Sequence, residues 1–310
     1  MSSDEAPDRP PAGPVARATA GPRHPAPPPP EAVEEAVRRA LEEDLGTGDI
    51  TSVACLPEGL RARAVLLARA PGRVAGLGVF ARVFEVCDPG CTVELVVEEG
   101  AVVRAGERLA TVEGDARALL AAERSALNFV QRLSGIATLS ARSVELCAGR
   151  ARVLDTRKTT PGLRALEKYA VRCGGAENHR YGLHDEVMIK DNHLDLAGRP
   201  LEELCAAVHR SQPGVRMTVE ARDEAEALAA ARAGADVVML DNMDPAAMAD
   251  LCPRVRAAAG EREVEIEASG GVDEATIEAV AASGVDRISI GALTHSASAL
   301  DLAVEVEVIE

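Results

Sequence analysis

The 310-residue chain has no tryptophan, two tyrosines and three phenylalanines, too few for a surface that stacks nucleic-acid bases. Lysine is almost as scarce, 3 residues against 31 arginines. No apolar run approaches the roughly 20 residues that a membrane helix needs. The seven cysteines (55, 87, 91, 147, 173, 205 and 252) are scattered, odd in number and without a CxxC pair. They read as reduced, small buried apolar residues of a cytoplasmic protein, with neither a disulfide framework nor a zinc site. A formal net charge of −16 argues against nucleic acid or an anionic membrane as partner for the surface as a whole.

What is present is a globular balance, 47% hydrophobic and 27% charged residues, long enough for one large domain or two ordinary ones around a sizeable core. The three lysines, Lys158, Lys168 and Lys190, fall within one stretch of 33 residues. Where coding bias converts lysine to arginine, those that persist mark positions that need a compact ammonium and not a planar fork; with three residues, chance gives the same picture. Residues 1–30 hold ten of the eighteen prolines, no apolar core, and acidic and basic residues in equal number. They read as a disordered tail without the apolar stretch of a secretory signal.

Beyond the tail, Glu31–Leu45 has the spacing of an amphipathic helix. Strand-like runs fall near Ala62–Leu67, Val93–Val97 and Arg108–Val112, with a helix near Val79–Cys87 between them. Asp115–Leu133 is helical, Gly135 reads as a break, and helix resumes to about Cys147. After residue 150 short apolar runs alternate with Ala- and Glu-rich helical segments: Arg152–Leu154, Val187–Ile189, Met217–Val219, Val237–Leu240, Val264–Ile266 and Ile288–Ile290. Such alternation means βα units and a parallel sheet, and five or more units without an obvious reversal favour a barrel over an open doubly wound sheet.

In a βα barrel the site gathers at the C-terminal ends of the strands. The residues there are Asp155-Thr156-Arg157-Lys158, Lys190, Glu220, Asp241, Ser269-Gly270-Gly271 and Gly291-Ala292-Leu293. Residues 124–190 carry twelve basic and six acidic side chains, an electropositive island in an otherwise acidic chain. An island of that kind fits a small anion held locally. Arg157 offers a fork for carboxylate or phosphate and Lys158 a point charge; His179-Arg180 lies near the island, and Lys190 ends an apolar strand where a charge has no structural use. Glu220 and Asp241 can hold Mg²⁺ through water, accept ribose hydroxyls, act as an acid–base pair, or form salt bridges. The glycines of 269–271 and 291 let backbone N–H groups approach phosphate oxygens. Arg124 flanks a helix's apolar stripe, which fits either snorkelling or projection into an interface or site.

The motifs Glu-Asp-Leu-Gly-Thr-Gly-Asp-Ile-Thr (43–51), Glu-Arg-Ser-Ala-Leu-Asn (123–128), Leu-Ser-Gly-Ile-Ala-Thr (133–138), Asp-Thr-Arg-Lys-Thr-Thr-Pro-Gly-Leu-Arg (155–164), Gly-Gly-Ala-Glu-Asn-His-Arg-Tyr-Gly-Leu (174–183), Ile-Lys-Asp-Asn-His (189–193), Glu-Ala-Ser-Gly-Gly (267–271) and Ile-Gly-Ala-Leu-Thr-His (290–295) together resemble the quinolinate phosphoribosyltransferases (nicotinate-nucleotide diphosphorylase, carboxylating). The likeness runs in order from about residue 31 to the C-terminus. It implies an N-terminal α/β sandwich domain (31–126, to which 294–310 returns) and an open α/β barrel (127–293). It implies synthesis of nicotinate mononucleotide, CO₂ and pyrophosphate from quinolinate and phosphoribosyl pyrophosphate with Mg²⁺, in NAD biosynthesis, by a homodimer or higher assembly with shared sites.

By the same resemblance Arg124 reaches a neighbouring subunit's pocket and, with Arg157, His179 and Arg180, holds the quinolinate carboxylates, and Thr156 is a substrate-binding residue. Lys158 and Lys190 face the pyrophosphate, Glu220 and Asp241 hold ribose hydroxyls and metal, and Ser269–Gly271 with Gly291–Leu293 cradle the 5′-phosphate. A non-catalytic rival comes from residues 93–107, which superficially resemble biotinyl and lipoyl carriers. Those need a modifiable lysine, and none precedes Lys158.

Overall fold

The computed structural model describes residues 25–309; the expectation of disorder for residues 1–24 lies outside them. The last residues of the proline-rich stretch lie against the body of the protein, where the Ala26 carbonyl accepts a hydrogen bond from Arg172 at 2.9 Å. Pro30 opens α1 (Pro30–Leu45), where its missing N–H costs nothing. The next helix, α2 (Ile50–Cys55), is capped by Asp49, whose carboxylate accepts the Thr51 and Ser52 amides at 3.0 Å. In β1 (Arg61–Ala68) every second residue is buried, the period of a sheet with one wet face. Then come β2 (Gly72–Arg73), α3 (Leu77–Cys87), β3 (Thr92–Leu95), β4 (Val102–Val103) and β5 (Arg108–Asp115).

Asp115 caps α4 (Ala116–Cys147) through the Arg117 and Ala118 amides. This helix is continuous over 32 residues, so the break expected at Gly135 does not occur. Glycine is required there for another reason: a Cβ would strike the carbonyl oxygen of Ser298, whose carbon lies 2.9 Å away. The residue lets a distant segment approach the helix backbone, and burial on both sides outweighs its poor helix propensity.

The barrel unit is built from β6 (Arg152–Leu154), α5 (Arg164–Cys173), β7 (Val187–Ile189), α6 (Asp191–Ala197), α7 (Leu201–Ser211), β8 (Met217–Ala221), α8 (Glu224–Ala233), β9 (Val237–Asp241), α9 (Pro245–Ala258), β10 (Glu265–Ser269), α10 (Ile277–Ala282), β11 (Arg287–Ser289) and α11 (Ala292–His295). Its six strands are parallel in the order β6-β11-β10-β9-β8-β7. The seam between β6 and β7 is open, with Glu177 bridging to Leu154 beside β6. The final strand, β12 (Leu302–Val308), pairs antiparallel with β1, completing a sheet of order β12-β1-β5-β3 on which α3 and α4 pack.

Two strands begin and end where the apolar runs do, at 152–154 and 187–189. The others differ because charged residues lie inside them. β10 runs on past the expected run through Glu267 to Ser269 and β11 begins at Arg287, charged residues that a hydropathy reading leaves outside the strands. Paired residues of a parallel ladder share a face. The pairings Arg287 with Glu267, Glu267 with Met239, and Met239 with Glu220 therefore set these side chains on one face of the sheet. Glu267 is fully buried and Arg287 is 5% exposed, so the barrel interior is in part an ionic network.

Candidate active site

The strand ends bring most of the expected residues to one mouth. Asp155 follows β6 and is completely buried, and its carboxylate organises the loop opposite. One oxygen accepts the His179 amide at 2.8 Å and Lys168 Nζ at 2.6 Å, and the other accepts Asn178 Nδ2 at 2.7 Å. Lys168 also donates to the His179 carbonyl at 3.0 Å. Burial pushes the Asp155 carboxyl up and the Lys168 ammonium down, with their mutual attraction opposing both shifts. Lys168, the lysine to which no motif assigned a role, is thus the buried tie between the two loops that carry the arginines.

Arg164 makes a second tie. From the first turn of α5 it donates to Thr159 Oγ1 at 3.0 Å, the Arg157 carbonyl at 3.2 Å and the Tyr181 carbonyl at 3.1 Å. Between these ties, Arg157, Lys158 and Arg180 have no ion-pair partner among the described residues. Arg180 is 9% exposed and donates to the Glu186 carbonyl at 3.0 Å. Burial, and after it the Arg157 guanidinium, lower its pKa from the ordinary value. Two cations close enough to disfavour each other, neither paired with a carboxylate, form a site that an anion stabilises.

Thr156 Oγ1 accepts the Lys158 amide at 3.0 Å, and Thr294 Oγ1 donates to the Lys158 carbonyl at 2.9 Å. The Lys158 stem lies over Gly291, where a Cβ would come within 3.0 Å of its Cδ. The first and last βα turns of the barrel therefore meet. Ala292 is half-buried and Leu293 fully buried, so Leu293 can present only backbone to a ligand.

Across the mouth, Lys190 Nζ and the Glu220 carboxylate form a short ion pair. Glu220 lies within β8 and not after it, with its side chain on the interior face. Asp241 is the last residue of β9, paired in register with Ser269. Asn242 holds a left-handed conformation (φ 53°), donates from Nδ2 to Asp241 and from its amide to the Ser269 carbonyl, both at 2.8 Å, and packs over Gly270. Gly270 and Gly271 also have positive φ, a turn that no β-branched residue would adopt. Among the described residues no group of three or more His, Cys, Asp or Glu side chains could hold a metal. Glu220 and Asp241 are the carboxylates at this part of the mouth, and a metal held by two carboxylates would need waters or substrate oxygens to complete its shell.

His179 is 7% exposed. Its Nδ1 accepts the Arg180 amide at 2.7 Å, and its Nε2 lies 3.3 Å from Glu267 Oε1 and 3.5 Å from Arg287 Nη2. Arg287 Nε donates to the other Glu267 oxygen at 2.5 Å. Burial acts to raise the Glu267 carboxyl, but the His179 contact and the Arg287 guanidinium outweigh it and hold it below the usual carboxylate range.

Arg124 is the one candidate not brought to this mouth. It is exposed on α4, with no hydrogen bond or ion pair to a described residue. Sequence reasoning also missed Lys168, Arg164, Asn178, Glu267 and Arg287, although the first had a signal in the lysine cluster and three others lie in the quoted motifs.

An open six-stranded βα barrel with a cationic, glycine-lined mouth, joined to an α/β sandwich, defines a class of enzyme that acts on small anionic substrates. Comparison with known proteins narrows this. The C-terminal domain model of quinolinate phosphoribosyl transferase matches residues 136–305, and the N-terminal domain model matches 49–134. The chain belongs to the quinolinate phosphoribosyl transferase family. A probable nicotinate-nucleotide pyrophosphorylase [carboxylating] of Bacillus subtilis is 41% identical over 265 residues, covering 85% of this chain and 90% of its own. A chloroplastic nicotinate-nucleotide pyrophosphorylase [carboxylating] of Arabidopsis thaliana is 38% identical, covering 87% and 82%. The crystal structure of NadC from Streptococcus pyogenes superposes with a TM-score of 0.84 at 37% identity, covering 91% of this chain and 99% of that one.

Proposed function

We propose that this protein condenses quinolinate with phosphoribosyl pyrophosphate, releasing pyrophosphate and CO₂ and forming nicotinate mononucleotide for NAD biosynthesis. The observation that carries the reading is the convergence, at one barrel mouth, of the unpaired cations Arg157, Lys158 and Arg180 with the carboxylates Glu220 and Asp241 and two glycine turns. One substrate is a dicarboxylate and the other a polyphosphate, and they repel each other in solution. The mouth's positive charge overcomes that repulsion and aligns them, which is where proximity supplies most of the rate.

In this reading Arg157 and Arg180 bind the quinolinate carboxylates in forked pairs, with Thr156 and His179 in the same wall. Glu220 and Asp241 accept the ribose hydroxyls, and the backbone amides of Ser269–Gly271 and Gly291–Leu293 receive the 5′-phosphate. As the bond from ribose C1 to pyrophosphate stretches, Lys158 and Lys190 stabilise the negative charge that gathers on the leaving oxygens. Mg²⁺, arriving with the pyrophosphate and held near Glu220 and Asp241 through water, would supply further charge neutralisation there. The pyridine nitrogen forms the new bond to C1. Its positive charge then stabilises the carbanion left on the adjacent ring carbon when the carboxylate there departs as CO₂, and a proton taken up from solvent at that carbon completes nicotinate mononucleotide.

Arg124 enters from a second copy of the chain. The exposed apolar side chains Ile50, Val53 and Leu120 lie on α2 and the start of α4, which Arg117 ties together through the Val53 and Leu56 carbonyls. Tyr181, Leu183 and Leu196 are exposed on the loop and helix beside the mouth. Placing the first face over the second in a two-fold dimer covers both and points the partner subunit's Arg124 at the site. Among the described residues no helix is long and apolar enough to cross a membrane.

The test is a purified-enzyme assay with quinolinate, phosphoribosyl pyrophosphate and Mg²⁺, following nicotinate mononucleotide. Product formation is expected, and Lys190→Ala should lower turnover by about 10²-fold or more. Turnover of another acid in place of quinolinate would overturn the substrate assignment.

A further inference from the structure

We propose that His179 is a neutral positioning residue: its Nδ1 accepts the backbone N–H of Arg180, its Nε2–H faces the Glu267–Arg287 pair, and the ring fixes the Arg180 guanidinium without itself binding the anion. The identity of that anion rests on the function proposed above; the arrangement of the ring does not.

The neighbours of the ring fix where its proton sits. An amide nitrogen always carries its hydrogen, so the 2.7 Å contact from the Arg180 amide to Nδ1 requires a bare lone pair at Nδ1. An imidazole holds at least one proton, which must then sit on Nε2. That nitrogen lies 3.3 Å from Glu267 Oε1, a buried oxygen that makes no aligned hydrogen bond to any described residue, with the Ser289 side chain also beside this carboxylate and Arg287 Nη2 3.5 Å from the ring. The backbone of His179 is held as firmly, with its amide on Asp155 and its carbonyl on Lys168. A second proton at Nδ1 would set two donors against each other, so an imidazolium does not fit the ring's surroundings.

Nδ1 is thus committed inside the protein, and Nε2 faces the Glu267–Arg287 pair. What the ring delivers is Arg180, held at one end by Nδ1 and at the other by the Glu186 carbonyl. The constraint matters because Arg157 repels Arg180 while the site is empty. A guanidinium fixed beforehand binds its carboxylate without a further ordering cost.

The experiment uses the full chain labelled with ¹⁵N-histidine, whose six rings are resolved by two-bond ¹H–¹⁵N correlation, with the His179 signals identified by their loss in His179→Asn. The expected pattern at neutral pH is the Nε2–H tautomer with a bare Nδ1. An imidazolium or an Nδ1–H pattern at neutral pH overturns the proposal. A kinetic pair gives a second decision. Asparagine places an acceptor where Nδ1 sits, whereas leucine offers none. His179→Leu should raise the KM for quinolinate about tenfold with little effect on that for phosphoribosyl pyrophosphate, and His179→Asn should recover most of the loss. Equal impairment of the two variants overturns the proposal. If the wild type does not use quinolinate, the functional reading fails while the ¹⁵N spectrum still decides the state of the ring.

Discussion

At the residue scale the site depends on pairs that water never reaches. Lys168 is 2% exposed and its partner Asp155 fully buried, and each has lost its hydration in exchange for the other. Removing one member strands a charge, which is worse than never having had the pair. Lys168→Met should therefore cost about 3–5 kcal/mol of stability, measured by urea denaturation, while Lys168→Met combined with Asp155→Asn should recover a substantial part of it. An additive double variant would show that the charge pair is not the source of the loss. The unusual lysine distribution made this residue visible in the sequence, but not its task. Asp155 is thirteen positions away, and only the β6-to-α5 connection brings the two together. Arg157 was legible because it stands just past a strand end, where a barrel gathers its ligands, and Arg180 because it lies beside His179 in the electropositive stretch.

At the scale of elements, Gly135 separates local preference from tertiary demand. On an exposed helix, replacing glycine by alanine gains about 1 kcal/mol. Here the added methyl would collide with the backbone at Ser298, which has no rotamer by which to yield. Gly135→Ala should thus destabilise by about 1–3 kcal/mol or more, seen as a lower thermal midpoint with helix content unchanged at low temperature. A stabilised variant would mean that the 296–300 segment moves away freely. The same contrast explains what was legible in the fold. The alternation of short apolar runs with alanine-rich helices revealed the barrel, because parallel strands read as continuous hydrophobic segments. Strand ends were misplaced at β10 and β11 because Glu267 and Arg287 turn inward, against the rule that charge marks a turn. No local pattern shows that a glutamate in one strand will meet an arginine in the next and a histidine from the seam.

At the scale of the whole molecule, a single chain accounts for every candidate except Arg124. A side chain that is exposed, unpaired and set among exposed apolar residues fits a surface that works only against another copy. A two-fold dimer makes that claim testable without a structure of the complex, because each site then draws Arg124 from one subunit and Lys190 from the other. Arg124→Ala and Lys190→Ala homodimers should each be nearly inactive. When the two variants are mixed in equal amounts and allowed to exchange subunits, about half the dimers are mixed. In a mixed dimer one site receives both substitutions and the other receives neither, so the sample should regain about a quarter of wild-type activity. The regained sites should have the wild-type KM for quinolinate, since nothing in them has changed. Sites contained within one chain would give no recovery at any mixing ratio, and Arg124 would then have to act in its own subunit's mouth, where the fold does not place it.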